Sequence, residues 1–277
     1  MKKKPKTGIL QRFFKIICLA VTLTSAGFLI YHMVYLPMEN KKLMAELKGN
    51  FPEPEAPGAS GSEKKDQPAG RKCPVAAVDL VSLREQYPDV QGWLTIPDTG
   101  IDYPVLQSEQ ENGEFYLKRN YKKEYDINGS LFLQADCKVS ESRNLIIYGH
   151  NINGRRYFGY LQNFREETFF KEHPVFSFTP VEGKEQDYHI VSILETDKYA
   201  DYYSFTDYGN EKDYYGMVEK ILSHSKFQSE AAKKMKREMD ESSAEAFFRK
   251  YKFVTLSTCR TMDGKDKRLM VIGCRKR

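Results

Sequence analysis

Apolar and polar positions fall into three regimes along this chain. From Ile16 to Leu36 (IICLAVTLTSAGFLIYHMVYL) no Asp, Glu, Lys or Arg interrupts the run. At about 1.5 Å per residue such a run reaches roughly 31 Å as a helix, enough to span a bilayer core. MENKKLMAELKG, just after it, has the composition of a short helix, and Phe51 to Gly70 (FPEPEAPGASGSEKKDQPAG) is Pro, Gly and charge with almost nothing to bury. That stretch reads as a flexible spacer.

From about Val75 the pattern changes again. VDLVSLREQYP carries Leu80, Leu83 and Tyr87 at helical spacing, and the chain beyond it is mostly strand and turn. GWLTIPDTGIDYPVLQ holds two short runs around a Pro-Asp-Thr-Gly turn. GSLFLQ, NLIIYGH, VFSFTP, DYHIVSILET, KFVTLSTC and KRLMVIGC are each short and rich in β-branched or aromatic residues. Many short strands without alternating helices predict a mainly β domain, an antiparallel barrel or sandwich. Asp213 to Lys250 is the exception, with helical composition inserted between two late strands. The domains expected are therefore a basic tail (1–15), a transmembrane anchor (16–36), a spacer (37–74) and one folded domain (75–277).

Charge sharpens the picture at one end. The formal net charge is +5, but Lys2, Lys3, Lys4, Lys6, Arg12 and Lys15 place six positive charges in the first 15 residues without an acid, leaving the remainder near neutral. The folded part has no dense basic stripe and no nucleic-acid motif, so no nucleic-acid partner is expected. Basic residues before the apolar run and none immediately after favour a cytoplasmic N-terminus and an exported body. A signal peptide cut near Ser25-Ala26-Gly27 is the rival reading; apolar residues running well past that point favour an uncleaved anchor. Of five cysteines, Cys18 lies in the apolar run, leaving Cys73, Cys137, Cys259 and Cys274. No metal-ligand spacing is present, so neither a metal nor a cofactor is expected. An exported domain leaves a Cys137–Cys274 disulfide open, although Cys274 reads as a packing residue.

Cys259 stands out because it ends a strand-like run, where a side chain is held yet open to solvent. Phe253, Thr255, Ser257 and Cys259 share one strand face, and Arg268, Met270 and Ile272 share a face of the next. If these runs pair as a hairpin, Arg268 can lie opposite Cys259. A thiol near its ordinary pKa of about 8.5 is mostly neutral at pH 7, so a nucleophilic Cys needs a basic or cationic neighbour. Of five histidines, His150 also ends a buried-looking strand, after Gly149. Taken singly, Cys259 reads as a small buried hydrophobe, His150 as a turn residue and Arg268 as a solvated charge. The case for chemistry is their joint occurrence at strand ends.

TLSTC, YGHN and an Arg opening the last strand together resemble the sortases, membrane-anchored cysteine transpeptidases of Gram-positive bacteria. WLTIPDTGIDYPVLQ, IIYGHNINGRRYFGYLQNF and helices before TLSTC are similar to class B, over roughly Leu80 to Gly273. The resemblance implies a closed antiparallel eight-stranded β-barrel with N-terminal helices and a helical insertion before the catalytic strand. It implies Cys259 as nucleophile, His150 as acid/base and Arg268 as the cation that holds substrate and stabilises the oxyanion, which suits a group charged at any working pH. Tyr148, Ser257, Leu117 and Tyr203 would contact substrate. The implied reaction cleaves a C-terminal sorting motif, Asn-Pro-x-Thr-Asn-like in class B, after Thr through a thioacyl enzyme. The surface protein then passes to a cell-wall amine or a peptidoglycan precursor such as lipid II. A cysteine endopeptidase using water, or a non-catalytic surface binding module, are the alternatives. One departure from the family pattern is the length of the helical stretch from Ser229 to Lys250.

Overall fold

Residues 7–51, 78–108, 113–152, 156–207, 209–258 and 267–277 are described by the computed structural model. The chain divides into two units, Met1–Asn50 and Phe51–Arg277. In the first, α1 (Thr7–Ile30) passes through a π-helical stretch (Tyr31–Tyr35) into α2 (Leu36–Asn50), which covers the predicted MENKKLMAELKG helix. Within it, Gln11–Tyr35 is the one segment among the described residues long and apolar enough to cross a membrane. Phe13, Ile17, Leu23, Phe28 and Ile30 along this helix are all exposed.

The second unit begins its described part with α3 (Leu80–Gln86), the helix read from Leu80 and Leu83, both of which are buried. Asp79 starts it by accepting hydrogen bonds from the Val81 and Ser82 N–H groups, which are otherwise orphan donors of the first turn. The strands follow as β1 (Val90–Thr95), β2 (Asp102–Leu106), β3 (Leu131–Leu133) and β4 (Asn144–Gly149). A two-residue hairpin, β5 (Asn151–Ile152) with β6 (Arg156–Tyr157), leads through a 3-10 stretch (Phe158–Arg165) into α4 (Glu167–Glu172). Next come β7 (Val175–Pro180) and β8 (Gln186–Asp197), then α5 (Glu211–Ser223), α6 (Glu230–Glu241) and α7 (Ala244–Lys250). β9 (Tyr251–Thr258) and β10 (Lys267–Lys276) complete the unit.

Eight strands close into a barrel in the order β1-β2-β3-β4-β9-β10-β8-β7. The eight-stranded closure matches the expectation; strictly antiparallel pairing does not hold throughout. β2–β3 and β4–β9 run parallel, because the segments joining them cross over instead of turning back as hairpins. The second of these matters for the site. A parallel pair brings the C-terminal ends of two strands far apart in sequence to the same rim.

Alternation splits β9 and β10 between two cores. Val254, Leu256, Leu269 and Val271 fill the barrel with Phe158, Phe176 and Tyr188. Phe253, Met270 and Ile272 face outward under the helical insertion, against Tyr214, Val218 and Ile221 of α5, Met235 and Met239 of α6 and Phe247 of α7. The lysine-rich α6 therefore has a solvated face, as its composition suggests, and a buried one that composition hides. Glu238 pins it down, accepting from Tyr251 Oη (2.6 Å) and Lys276 Nζ (2.9 Å) and pairing with Lys250. These hydrogen bonds, that from Lys250 foremost, hold its carboxyl at about 2. With Met235 and Met239 buried, the insertion is part of the fold as well as a neighbour of β9.

Candidate active site

In the β4–β9 ladder, Tyr148 is opposite Ser257 and Gly149 opposite Thr258. The next residues in sequence are His150 and Cys259. Cys259 lies outside the described residues, as does Cys73. On its other side β9 pairs with β10 in the register Met270↔Ser257, Val271↔Leu256, and the Leu269 N–H donates to Thr258 Oγ1 at 3.1 Å.

His150 is half-buried and held from two directions. Its carbonyl accepts from the Phe158 N–H (3.1 Å), and Nε2 lies 2.7 Å from the Leu117 carbonyl. A carbonyl only accepts, so Nε2 carries the hydrogen and Nδ1 is the basic nitrogen of the neutral ring. Two glycines make this geometry possible. A Cβ on Gly149 would come within 2.8 Å of the Phe158 ring and 2.5 Å of Leu131 Cδ2; Gly129, at φ +62°, lets its backbone approach the Leu117 carbonyl, where a Cβ would meet the oxygen at 2.4 Å.

A groove of about 580 Å³ lies on this rim, lined by Leu117, Phe132, Gln134, Tyr148, Tyr203 and Arg268 among others. The Tyr148 and Tyr203 rings stack at 5.9 Å and Phe132 tilts against Tyr148 at 5.5 Å, giving a rigid aromatic wall. Gln134 ties the wall together: Oε1 accepts from Tyr148 Oη, and Nε2 donates to the Tyr203 carbonyl (2.9 Å) and Asp136 Oδ1 (2.8 Å). Arg268 is half-exposed, and among the described residues its guanidinium donates to the Lys267 carbonyl (3.3 Å) and has no carboxylate partner.

Of the residues singled out from sequence, Leu117, Tyr148, Tyr203 and Arg268 therefore line one groove, with His150 bonded to the Leu117 carbonyl. Ser257 differs. It is fully buried beneath the groove, with Oγ 2.9 Å from Tyr203 Oη. The adjacent Tyr202 and Tyr203 divide their work: Tyr202 is buried in the outer core and bonded to His224 Nδ1 at 2.6 Å, while Tyr203 faces the groove. Sequence reading missed Gln134 and Phe132. Strand alternation in GSLFLQ puts both on one face, and that was the available signal.

The described thiols separate cleanly by environment. Cys137, inside the barrel, accepts from the Ile146 N–H (3.4 Å) and lies 3.6 Å from the Asn144 carbonyl; burial pushes its thiol up to about 12. Burial likewise pushes Cys274, in the outer core, to about 12. Both are free, so the Cys137–Cys274 disulfide left open by the sequence is not formed. Each is locked in its own core, one on either side of the barrel wall.

The site is thus an aromatic groove on one rim of an eight-stranded mixed barrel, with a histidine at the end of β4. Comparison with known proteins identifies the family. The Sortase domain family matches residues 94–276. Sortase B of Listeria monocytogenes is 31% identical over 196 residues, 70% of this chain and 72% of that protein; Sortase B of Staphylococcus aureus is 26% identical over 194 residues, 69% and 72%. The crystal structure of sortase B from Bacillus anthracis in complex with AAEK1 superposes with a TM-score of 0.64 at 26% identity, covering 88% of this chain and 99% of that one. The chain belongs to the sortase family, in class B, and is a cysteine transpeptidase.

Proposed function

We propose that Cys259 is the nucleophile of this transpeptidase, His150 its acid/base and Arg268 the cation that stabilises the oxyanion. The observation that carries the assignment is strand register. Gly149 and Thr258 are opposite each other in parallel strands, and His150 and Cys259 are their immediate successors, one peptide (about 3.8 Å) on. Arg268 lies two residues before Met270, and position 259 two residues after its antiparallel partner Ser257. The inertness of Cys137 and Cys274 supports the same choice.

In the reaction proposed, His150 Nδ1 takes the Cys259 thiol proton, and the resulting thiolate attacks the carbonyl carbon of a Thr in the sorting motif. Arg268 and backbone donors hold the developing O⁻, an interaction stronger in the transition state than in the ground state. As the tetrahedral intermediate collapses the C–N bond breaks, and His150 delivers a proton from Nδ1 to the leaving amine. A cell-wall or lipid II amine then attacks the thioester, its proton passing to His150 as the new C–N bond forms and the C–S bond breaks. Leu117, Tyr148 and Tyr203 bind the peptide along the groove, with Ser257 steadying Tyr203 from below.

The anchor belongs to the same reading. An exposed helix of apolar side chains costs free energy in water and none in lipid, and the basic residues before it favour an N-terminus in the cytoplasm. The catalytic domain, residues 75–277, then works outside the cell, tethered by the spacer through residue 74, where surface proteins meet wall precursors. Protease added to wall-stripped cells should remove this domain; full protection would overturn the topology. For the chemistry, the full-length protein is given an Asn-Pro-x-Thr-Asn-like peptide with and without an acceptor amine, and products are weighed by mass spectrometry. Transfer product should dominate over hydrolysis once acceptor is present. Hydrolysis alone at saturating acceptor would make the enzyme an endopeptidase.

A further inference from the structure

The end of the barrel away from the groove carries a feature the transpeptidase reaction does not use. β9 starts there and β10 ends there, and Lys252 and Arg275 are direct cross-strand partners. By alternation both follow the inward-facing series, Lys252 with Val254 and Leu256, Arg275 with Leu269 and Val271. Both line a cavity of about 470 Å³ at that end, bounded also by Tyr188 and the Lys138–Glu141 loop. Like charges directly opposite on adjacent strands repel, and Lys252 is buried, only 6% exposed.

The acids around this cavity are already committed. Glu141 pairs with Lys138 (3.1 Å) and Glu182 with Arg84 (3.6 Å). Among the described residues, Lys252 donates to the Val139 carbonyl, and Arg275 donates to Tyr188 Oη (3.3 Å) and the Lys276 carbonyl (3.0 Å); neither has a carboxylate partner. Two inward cations share one cavity, and the acceptors they reach among the described residues are neutral. A buried ammonium in such a place is costly. Desolvation, then repulsion from Arg275 and Arg277, lowers the Lys252 ammonium to about 8. What would resolve the repulsion is a negative group between the two.

We propose that this cavity is a binding site for a small oxyanion, a phosphate or carboxylate group held between Lys252 and Arg275. Arg275 supplies a planar fork suited to two oxygens, and Lys252 supplies the N–H directions left over from Val139. The site lies at the opposite barrel end from the groove, so its occupancy acts on stability before it acts on chemistry. An anion that binds only the folded chain stabilises it by mass action.

The test uses the full-length chain in detergent micelles. Thermal unfolding is followed with inorganic phosphate, methyl phosphate or succinate, each against sodium chloride of matched ionic strength. A bound oxyanion should raise Tm by about 2–4 °C at saturation, and the rise should vanish in Lys252→Met. A larger rise with the phosphates than with succinate assigns a phosphate-type ligand; the reverse assigns a carboxylate. The proposal is overturned by no rise with any of the three, or by an equal rise in the variant. A second measurement needs no variant: acetic anhydride labelling of wild type, read by peptide mass spectrometry. The bound anion keeps Lys252 protonated, so its acetylation should slow several-fold relative to chloride while exposed Lys233 is unaffected. Unchanged labelling of Lys252 in the oxyanion that raises Tm would also overturn the site.

Discussion

The two ends of the β4–β9 pair are built from the same strands and do opposite things to charge. At the Asn144/Phe253 end, the Asn144 amide is buried and matched: Nδ2 donates to the Phe205 carbonyl (2.8 Å), its Oδ1 accepts from Thr255 Oγ1 (3.0 Å), and Cys137 is closed over. At the Gly149/Thr258 end, the last described pair of the ladder, an aromatic groove with a half-exposed cation opens on the rim. Burial penalises a thiolate, so a cysteine in either core is held neutral. In the reaction proposed, reactivity follows position along a strand more than identity of the side chain.

The largest expected effect breaks this comparison directly. With thiols at about 12, only about 1 in 10⁴ of Cys137 or Cys274 is thiolate at pH 8, against about a quarter of an ordinary thiol at 8.5. Iodoacetamide at pH 8 should therefore modify Cys259 in the folded protein and leave Cys137 and Cys274 unmodified until denaturant is added. Cys259→Ala should abolish transfer and leave no trapped thioacyl adduct, whereas Cys137→Ala should keep turnover and lose stability. Peptide cleavage surviving in Cys259→Ala would overturn the assignment.

Next in size is His150→Ala. General acid–base catalysis contributes typically 10²–10⁴-fold, so turnover should fall by that range while the thiol still alkylates. Gln can donate to the Leu117 carbonyl as Nε2 does but has no titratable nitrogen, so His150→Gln should not rescue turnover. A loss below tenfold would show that proton transfer lies elsewhere. Arg268→Lys comes third, keeping the charge but losing the planar fork; it should cost on the order of 10²-fold, mainly in kcat. Wild-type behaviour of that variant would remove Arg268 from the oxyanion role.

The distance between the two ends also explains what could be read from sequence. The strands were legible because they are short runs rich in β-branched and aromatic residues, and α3 because Leu80, Leu83 and Tyr87 repeat at helical spacing. Strand direction was not. Parallel pairing of β2 with β3 and of β4 with β9 depends on where crossovers of 24 and 101 residues land, and nothing local encodes that. His150 and Arg268 were found because each begins just past, or just inside, a strand end. Gln134 was not, since a glutamine closing GSLFLQ looks like any solvated strand terminus until Tyr148 and Tyr203 arrive from elsewhere in the chain. The buried face of α6 was masked by its lysines, and only the packing of Met235 and Met239 reveals it.

The smallest effect concerns the layer beneath the groove, where the two kinds of environment meet. Ser257 is fully buried and Tyr203 half-buried, and a single hydroxyl–hydroxyl hydrogen bond of 2.9 Å joins them. A neutral hydrogen bond contributes about 0.5–1.5 kcal/mol, equivalent to roughly 2–10-fold. Tyr203→Phe removes that bond and keeps the ring stacked on Tyr148, so on the proposed role of the wall, positioning peptide without taking part in chemistry, KM should rise by about that factor with kcat little changed. Ser257→Ala removes the same bond from the other side and should give a similar change. The double variant then decides between a shared bond and two separate roles. If the bond is what both residues contribute, Tyr203→Phe with Ser257→Ala should be no worse than either alone, a strongly non-additive cycle. Additive losses would mean that Ser257 reaches the substrate or Cys259 independently, and the buried residue would have to be moved into the site itself.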